Sequence, residues 1–461
     1  MQAISLKNKC FTTWRDEIEG RFDPYYLKYK KLTEITYKFP LVRLETLLKE
    51  NPQYGANEQA VDGNPKKDIR YIRITDIDEF GNLKTDGWKT AKNIDEKYLL
   101  KENDLLFARS GATAGKTFIY KKEFGKAIFA GYLIRFKINE LKANPKYIFY
   151  YTQLTPYANW VKSTQRPSGQ PNINSEEFKS IKIPLPPLEV QNQIVELMQS
   201  TYKQKTEKEQ KADELIKSID DYVLDELGIK IPEMKDKMCF SVDGEEVENR
   251  RTDPYYYQPK FKELESVLTK GKYKLIEFGN IIKHINYGTI PEKYTDSGIP
   301  LLKIGNLKPN KIITDELAYV PDYPKERDKQ KITQRDDLLI SQLGTVGITA
   351  PITKQEEGFL YGSFILRVQL LRGIPMYFSI ILNSPIGKLQ FQRSMTTATV
   401  RANTSIPDVK ALKVPFPPVK IQNKIAEEVK NRIATIEKLK LETENTVENT
   451  KKEVEKIILS K

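Results

Sequence analysis

The chain has 461 residues and a formal net charge of +13, from 75 lysines and arginines against 62 aspartates and glutamates. Charged residues make up 30%, mean hydropathy is −0.55, and no run of eighteen apolar residues occurs, which excludes a spanning helix. Two cysteines, Cys10 and Cys239, exclude a disulfide framework; the length points to two or three domains, and the charge permits a polyanionic partner without requiring one.

In chain order, the sequence states most of its landmarks twice. Met1–Lys9 lacks the apolar core of a signal peptide, and Cys10-Phe11 then returns as Cys239-Phe240. Arg21-Phe22-Asp23-Pro24-Tyr25-Tyr26 returns as Arg251-Thr252-Asp253-Pro254-Tyr255-Tyr256, an offset of 230. Ile72-Arg73-Ile74-Thr75-Asp76-Ile77 lines up with Leu302-Lys303-Ile304-Gly305-Asn306-Leu307 at the same offset. Asp104-Leu105-Leu106 and Gly111 match Asp337-Leu338-Leu339 and Gly344 at 233. Ile183-Pro184-Leu185-Pro186-Pro187 and Gln191-Asn192-Gln193-Ile194 match Val414-Pro415-Phe416-Pro417-Pro418 and Gln422-Asn423-Lys424-Ile425 at 231. So ordered a series means a duplicated domain plus connector, with a period far too long for a solenoid. The two cysteines become equivalent positions, read as small buried apolar side chains.

Within each copy a strand-rich part precedes a long helix. Tyr71-Ile72-Arg73-Ile74 and Tyr132-Leu133-Ile134-Arg135-Phe136 are β-branched or aromatic and bounded by Gly, Asn or Asp, which predicts strands. Pro184-Leu185-Pro186-Pro187 closes the globular part, since three prolines fit neither helix nor sheet interior, and Pro187 suits a helix start. From Leu188 to about Leu227 no proline or glycine occurs, and Gly228 predicts a C-cap. Ile194, Met198, Ala212, Leu215, Ile219 and Tyr222 form a 3-4 spaced stripe; Ile425, Val429, Ile436, Val447, Val454 and Ile457 form its counterpart. Polar interruptions (Thr201, Lys205, Lys208; Lys440, Thr443, Thr450) favour pairing of the two helices with each other over a homo-oligomeric zipper. About 40 helical residues span roughly 60 Å, near the length of about 18 base pairs.

Catalytic patterns are incomplete. Gly111-Ala112-Thr113-Ala114-Gly115-Lys116-Thr117 has one residue too few between its glycines for a P-loop, and the matching Gly344–Thr349 loop has no lysine. It reads as a Gly-rich turn offering backbone N–H groups and Lys116 to a phosphate. Asp23-Pro24-Tyr25-Tyr26 and Asp253-Pro254-Tyr255-Tyr256 lack the second proline of an amino-methyltransferase element and read as turns with packing tyrosines. Pro321-Asp322 is not completed into a nuclease metal site, and the single histidine, His284, has no partner pattern.

The polar residues placed on loops carry the binding expectation. In the first copy these are Arg73, Thr75, Arg109, Ser110, Thr113, Lys116, Arg166, Gln170 and Asn172. In the second they are Lys303, Asn306, Gln342, Thr345, Arg401 and Asn403. Arginine on guanine and Asn or Gln on adenine are the side-chain pairings that read major-groove base edges.

A duplicated part opened by Asp-Pro-Tyr-Tyr, with a Gly-rich loop, and closed by Pro-(Leu/Phe)-Pro-Pro-x-x-x-Gln-x-x-Ile before a long helix, resembles the specificity subunits of type I restriction–modification systems. The resemblance implies an α+β protein. Two strand-rich target recognition domains, similar to the DNA-binding domain of TaqI-type adenine methyltransferases, would be related by pseudo-twofold symmetry. Two long helices would join them, packed as an antiparallel coiled coil. The expected divisions are residues 1–187 (first recognition domain), 188–228 (helix), 229–418 (connector and second recognition domain) and 419–461 (helix). The resemblance further implies a bipartite double-stranded DNA target, a spacer set by the helices, and no catalysis or bound cofactor on this chain. S-adenosylmethionine, ATP and Mg would sit on partners: two methyltransferase subunits, joined by motor and restriction subunits, in a prokaryotic cytoplasm. Two other classes stay open at this point, a DNA-modifying enzyme and a coiled-coil scaffold for proteins.

Overall fold

The computed structural model describes residues 29, 33–78, 80–84, 86–165, 171–247, 252–321, 330–395 and 403–460. The chain divides into two compact units, Met1–Lys208 with Leu441–Lys461, and Glu209–Lys440. In the first unit β1 (Gln53–Tyr54), β2 (Leu105–Ala108), β3 (Thr117–Ile119) and β4 (Leu133–Phe136) form an antiparallel sheet in the order β1-β4-β2-β3. In the second, β5 (Ile282–Tyr287), β6 (Leu338–Ser341), β7 (Thr349–Pro351) and β8 (Ile365–Leu370) repeat that order as β5-β8-β6-β7. Beside each sheet lies one parallel pair, Arg70–Ile72 with Ala127–Phe129 and Ile299–Leu302 with Leu360–Tyr361. β2 and β6 are short continuous runs buried along their whole length, which alternation alone would not predict.

The repeated landmarks have physical roles. Asp104 and Asp337 precede the central strands, and their buried carboxylates meet buried Arg135 on β4 and Arg367 on β8. Burial pushes the Asp104 carboxyl above the usual carboxylate range, against the pull of the Lys101 backbone N–H and of Arg135. Pro184 and Pro415 each end a short strand paired antiparallel with Leu41–Arg43 or Leu275–Glu277. This departs from the expectation that the prolines lie outside any sheet. The ribbon has only two strands, so a missing N–H faces no further neighbour.

Behind the prolines, Gln191 and Gln422 are fully buried clamps. Gln191 Nε2 donates to Pro186 O (2.8 Å) while its Oε1 accepts from Asn144 N (2.8 Å). Gln422 repeats this with Pro417 O (2.8 Å) and Ile374 N (2.9 Å). Tyr147 and Tyr377, also buried, donate their hydroxyls to Pro184 O (2.6 Å) and Pro415 O (2.8 Å). The proline–glutamine element therefore welds the helix start to the body of its copy.

The two long helices, α1 (Leu188–Leu227) and α2 (Val419–Ile458), contribute segments to both units. Contacts run antiparallel in each. In the first unit Thr201 Oγ1 meets Thr450 Oγ1 at 3.0 Å and Lys208 reaches Glu442 at 3.2 Å. In the second Arg432 donates to Ser218 O (2.7 Å) and Lys424 to Glu226 (2.6 Å). Ile194, Met198, Ala212, Ile425, Val429, Ile436, Val447 and Val454 are buried as the 3-4 pattern predicted, and so are the interrupting Thr201, Lys205, Thr443 and Thr450. α1 ends in a Schellman motif: Gly228 (φ +65°) donates to Asp225 O and Ile229 to Leu224 O. Each helix end then docks on the entry of the other copy, Leu227 O accepting from Lys272 N and Ile458 O from Lys38 N.

Cys239 corrects the expectation of a buried apolar site. It is exposed, in a stretch between α1 and the second body that has no regular structure. Cys10 and Arg21–Tyr26 lie outside the described residues; the second Asp-Pro-Tyr-Tyr is a capped turn, with Asp253 accepting from Tyr256 N at 3.1 Å and Tyr255 packed edge-on against Phe261. Replacing Gln422 with Leu keeps volume but strands the Ile374 N–H and the Pro417 carbonyl. Chemical denaturation should show a loss of roughly 1–3 kcal/mol for each stranded group, and an unchanged midpoint would remove the clamp from the account.

Candidate nucleic-acid interface

The end of β2 positions the first candidate surface. Arg109 N donates to Tyr132 O (3.0 Å) and its carbonyl accepts from Ile173 N (2.8 Å), while Ser110 bridges Asn172. These bonds join three segments distant in sequence into one wall. With Tyr54 at the end of β1, Gly55 and Asn57 just after it, and Gly131, Tyr132 and Pro171, they line a pocket of about 500 Å³. The Arg109 guanidinium lies over the Tyr54 ring, 5.0 Å from its centroid, and its Nε is buried without a partner. Tyr132 is 62% exposed at the rim.

The second unit builds the same backbone with different side chains. Gln342 N donates to Phe364 O (2.9 Å), Thr404 N to Gln342 O (3.1 Å), and Leu343 bridges Asn403. Gln342 thus occupies the place of Arg109, Leu343 that of Ser110, Phe364 that of Tyr132 and Asn403 that of Asn172. Tyr287, Ile290 and Phe364 are exposed, Ile290 at 73% and Phe364 at 51%. Large apolar side chains left in water beside hydrogen-bonding ones mark a contact surface more than isolated exposure would.

Other candidates hold the fold. Arg73 forks onto Asp76 (Nη2 2.6 Å, Nε 3.1 Å), and this hydrogen-bonded carboxylate holds the guanidinium above its usual range. Asn306 is buried, donating to Ile313 O (2.9 Å) and Glu316 O (3.1 Å) and accepting from Lys303 N (2.8 Å). Lys116 Nζ donates to Ile77 O at 3.0 Å, and the N–H groups of Gly111, Ala114, Gly115 and Lys116 all bond to carbonyls of the chain, closing the Gly-rich turn on itself. Thr75 and Thr345 are exposed, and Lys303 is exposed over the Tyr294 ring at 4.5 Å. Thr113 is half-buried within the turn. Arg166, Gln170, Arg401 and Asp322 lie outside the described residues. His284 is exposed on β5, and among the described residues no group of three or more His, Cys, Asp or Glu could hold a metal. No helix there is long and apolar enough to cross a membrane.

The sequence profile of the Methylase_S family, the type I restriction modification DNA specificity domain, matches residues 56–218 and 260–449, more than half of the chain. The chain belongs to this specificity-domain family. It is 22% identical over 387 residues to the type I restriction enzyme MjaVIII specificity subunit of Methanocaldococcus jannaschii, covering 81% of this chain and 82% of that one. It is 25% identical over 303 residues to the type I restriction enzyme EcoKI specificity subunit of Escherichia coli, covering 63% and 60%. A chain from a study of complex assembly and conformational transition of the type I R-M system shares the fold at TM-score 0.52 and 14% identity, covering 91% of this chain and 97% of that one.

Both copies of the specificity domain expose residues that sequence reasoning passed over: Tyr54, Asn57 and Tyr132 in one, Tyr287, Ile290 and Phe364 in the other. The signal was present. Tyr54-Gly55 and Tyr287-Gly288 recur at an offset of 233. The turn behind the wall depends on Gly115 (φ +92°), where a Cβ would lie 2.6 Å from Val161, and on Gly347 (φ +88°), where it would meet the Phe391 ring at 2.4 Å. Gly115→Ala should cost on the order of 1–3 kcal/mol from backbone strain alone. A denaturation midpoint equal to that of the parent chain would show the turn to be tolerant.

Proposed function

We propose that this chain is the sequence-reading subunit of a type I restriction–modification assembly, binding a bipartite double-stranded DNA site and doing no chemistry itself. One observation supports this above the others: two equivalent walls share a backbone but present Arg, Ser and Tyr in one copy and Gln, Leu and Phe in the other. A duplicated catalyst would keep its reactive groups, whereas two readers of different half-sites must differ at the reading face. Residues 1–187 and 229–418 carry the readers, and residues 188–228 and 419–461 form the helices on which partners dock. The partners are two methyltransferase subunits bringing S-adenosylmethionine, joined by motor and restriction subunits using ATP and Mg, in the cytoplasm. Arg109, Ser110, Asn172, Gln342, Thr345 and Asn403 contact bases or nearby phosphates; Arg166, Gln170 and Arg401, outside the described residues, join this set on their residue type and sequence position. Thr75, Thr113 and Lys303 lie closer to the backbone of the DNA, while Arg73, Lys116 and Asn306 brace these surfaces.

Replacing residues 41–183 with the corresponding segment of a relative should change one half of the methylated sequence and leave the other intact. Methylation mapping of host DNA reads this directly; a change in both halves refutes the division of labour. Affinity for duplex DNA should fall linearly on a log–log plot against salt as counterions are released. A salt-independent, protein-only association would favour a scaffold.

A further inference from the structure

The wall position shared by the two copies goes further than general DNA binding. Among the described arginines of the first unit, Arg43, Arg70, Arg73 and Arg135 each donate to a carboxylate or carbonyl. The Arg109 side chain alone donates to none among the described residues, and its Nε is buried and unbonded. Its guanidinium is nonetheless held: stacking on Tyr54 limits rotation, and the backbone on either side is pinned to Tyr132 and Ile173. A planar fork, immobilised and unsatisfied at a pocket edge, suits a bidentate partner of matching geometry. Guanine O6 and N7 present that pair of acceptors in the major groove. In the second unit the same backbone position carries Gln342, half-buried, with no side-chain hydrogen bond among the described residues. A primary amide offers one donor and one acceptor, the complement of adenine N7 and N6.

We infer that this repeated position selects one base in each half-site, guanine through Arg109 and adenine through Gln342. The inference rests on the DNA-reading function proposed above. Both side chains can also donate to phosphate oxygens, and a phosphate role predicts uniform weakening on every sequence where base reading predicts loss at one position.

The test selects from a randomised duplex library with the full chain assembled with its methyltransferase subunits, and sequences the bound DNA. The parent chain should return a bipartite motif with a guanine in one half and an adenine in the other. Arg109→Gln should lose the guanine preference at one position by roughly 10- to 100-fold, leaving the other half unchanged. Gln342→Arg should alter only the other half, toward guanine. Arg109→Lys keeps the charge without the planar fork, so its guanine preference should fall between those of the parent and the glutamine variant, and it guards against misfolding of the glutamine variant. Uniform weakening on all sequences with the motif intact, an unchanged motif, or a parent motif whose affected half lacks guanine would each overturn the inference while sparing the DNA-reading function. A parent chain that enriches no motif would instead overturn that function.

Discussion

The structure depends on two buried glutamines. Gln191 and Gln422 each join a proline carbonyl at the base of a long helix to a backbone N–H of the preceding globular part. An amide with both its donor and its acceptor buried must be satisfied at both ends, and only one orientation of helix against body does so. The helix direction leaving each copy is thereby set at its first turn. The seam that follows uses apolar residues at 3-4 spacing and a few buried polar ones, such as Thr201 against Thr450, that match only in one register.

Rigidity there permits variation elsewhere. The wall at the end of the central strand is held by main-chain bonds, Arg109 to Tyr132 and Ile173 in one copy and Gln342 to Phe364 and Thr404 in the other. Main-chain bonds do not depend on the side chain, so the residue at that position can change without disturbing the scaffold. A fold that supplies position through its backbone and identity through its side chains suits a reader whose target must diverge while its assembly does not.

Much of this was legible in the residues. The duplication, the strand-rich bodies, the two long helices with their stripes and the Gly228 cap all follow from local periodicity and turn chemistry, which act over a few residues. The paired position of Arg109 and Gln342 was also within reach, because both precede a Gly-rich turn. Arg73 and Asn306 looked equally suited to bases, yet the first forks onto Asp76 and the second bonds to carbonyls seven and ten residues away. Cys239 looked like a core position because it repeats, and it is exposed.

The sequence by itself determined that the chain is two copies of one domain, each followed by a helix, without a complete catalytic motif. Those are properties of spacing and of residue type, and spacing survives without coordinates. Only the tertiary structure decided which polar side chains are engaged and which stand open. Whether a polar side chain stands open often depends on segments far apart in the chain, as the wall built from residues near 54, 109, 132 and 172 illustrates. The same long-range packing left Tyr54, Tyr132, Tyr287 and Phe364 in solvent, where composition alone would have assigned them to a core.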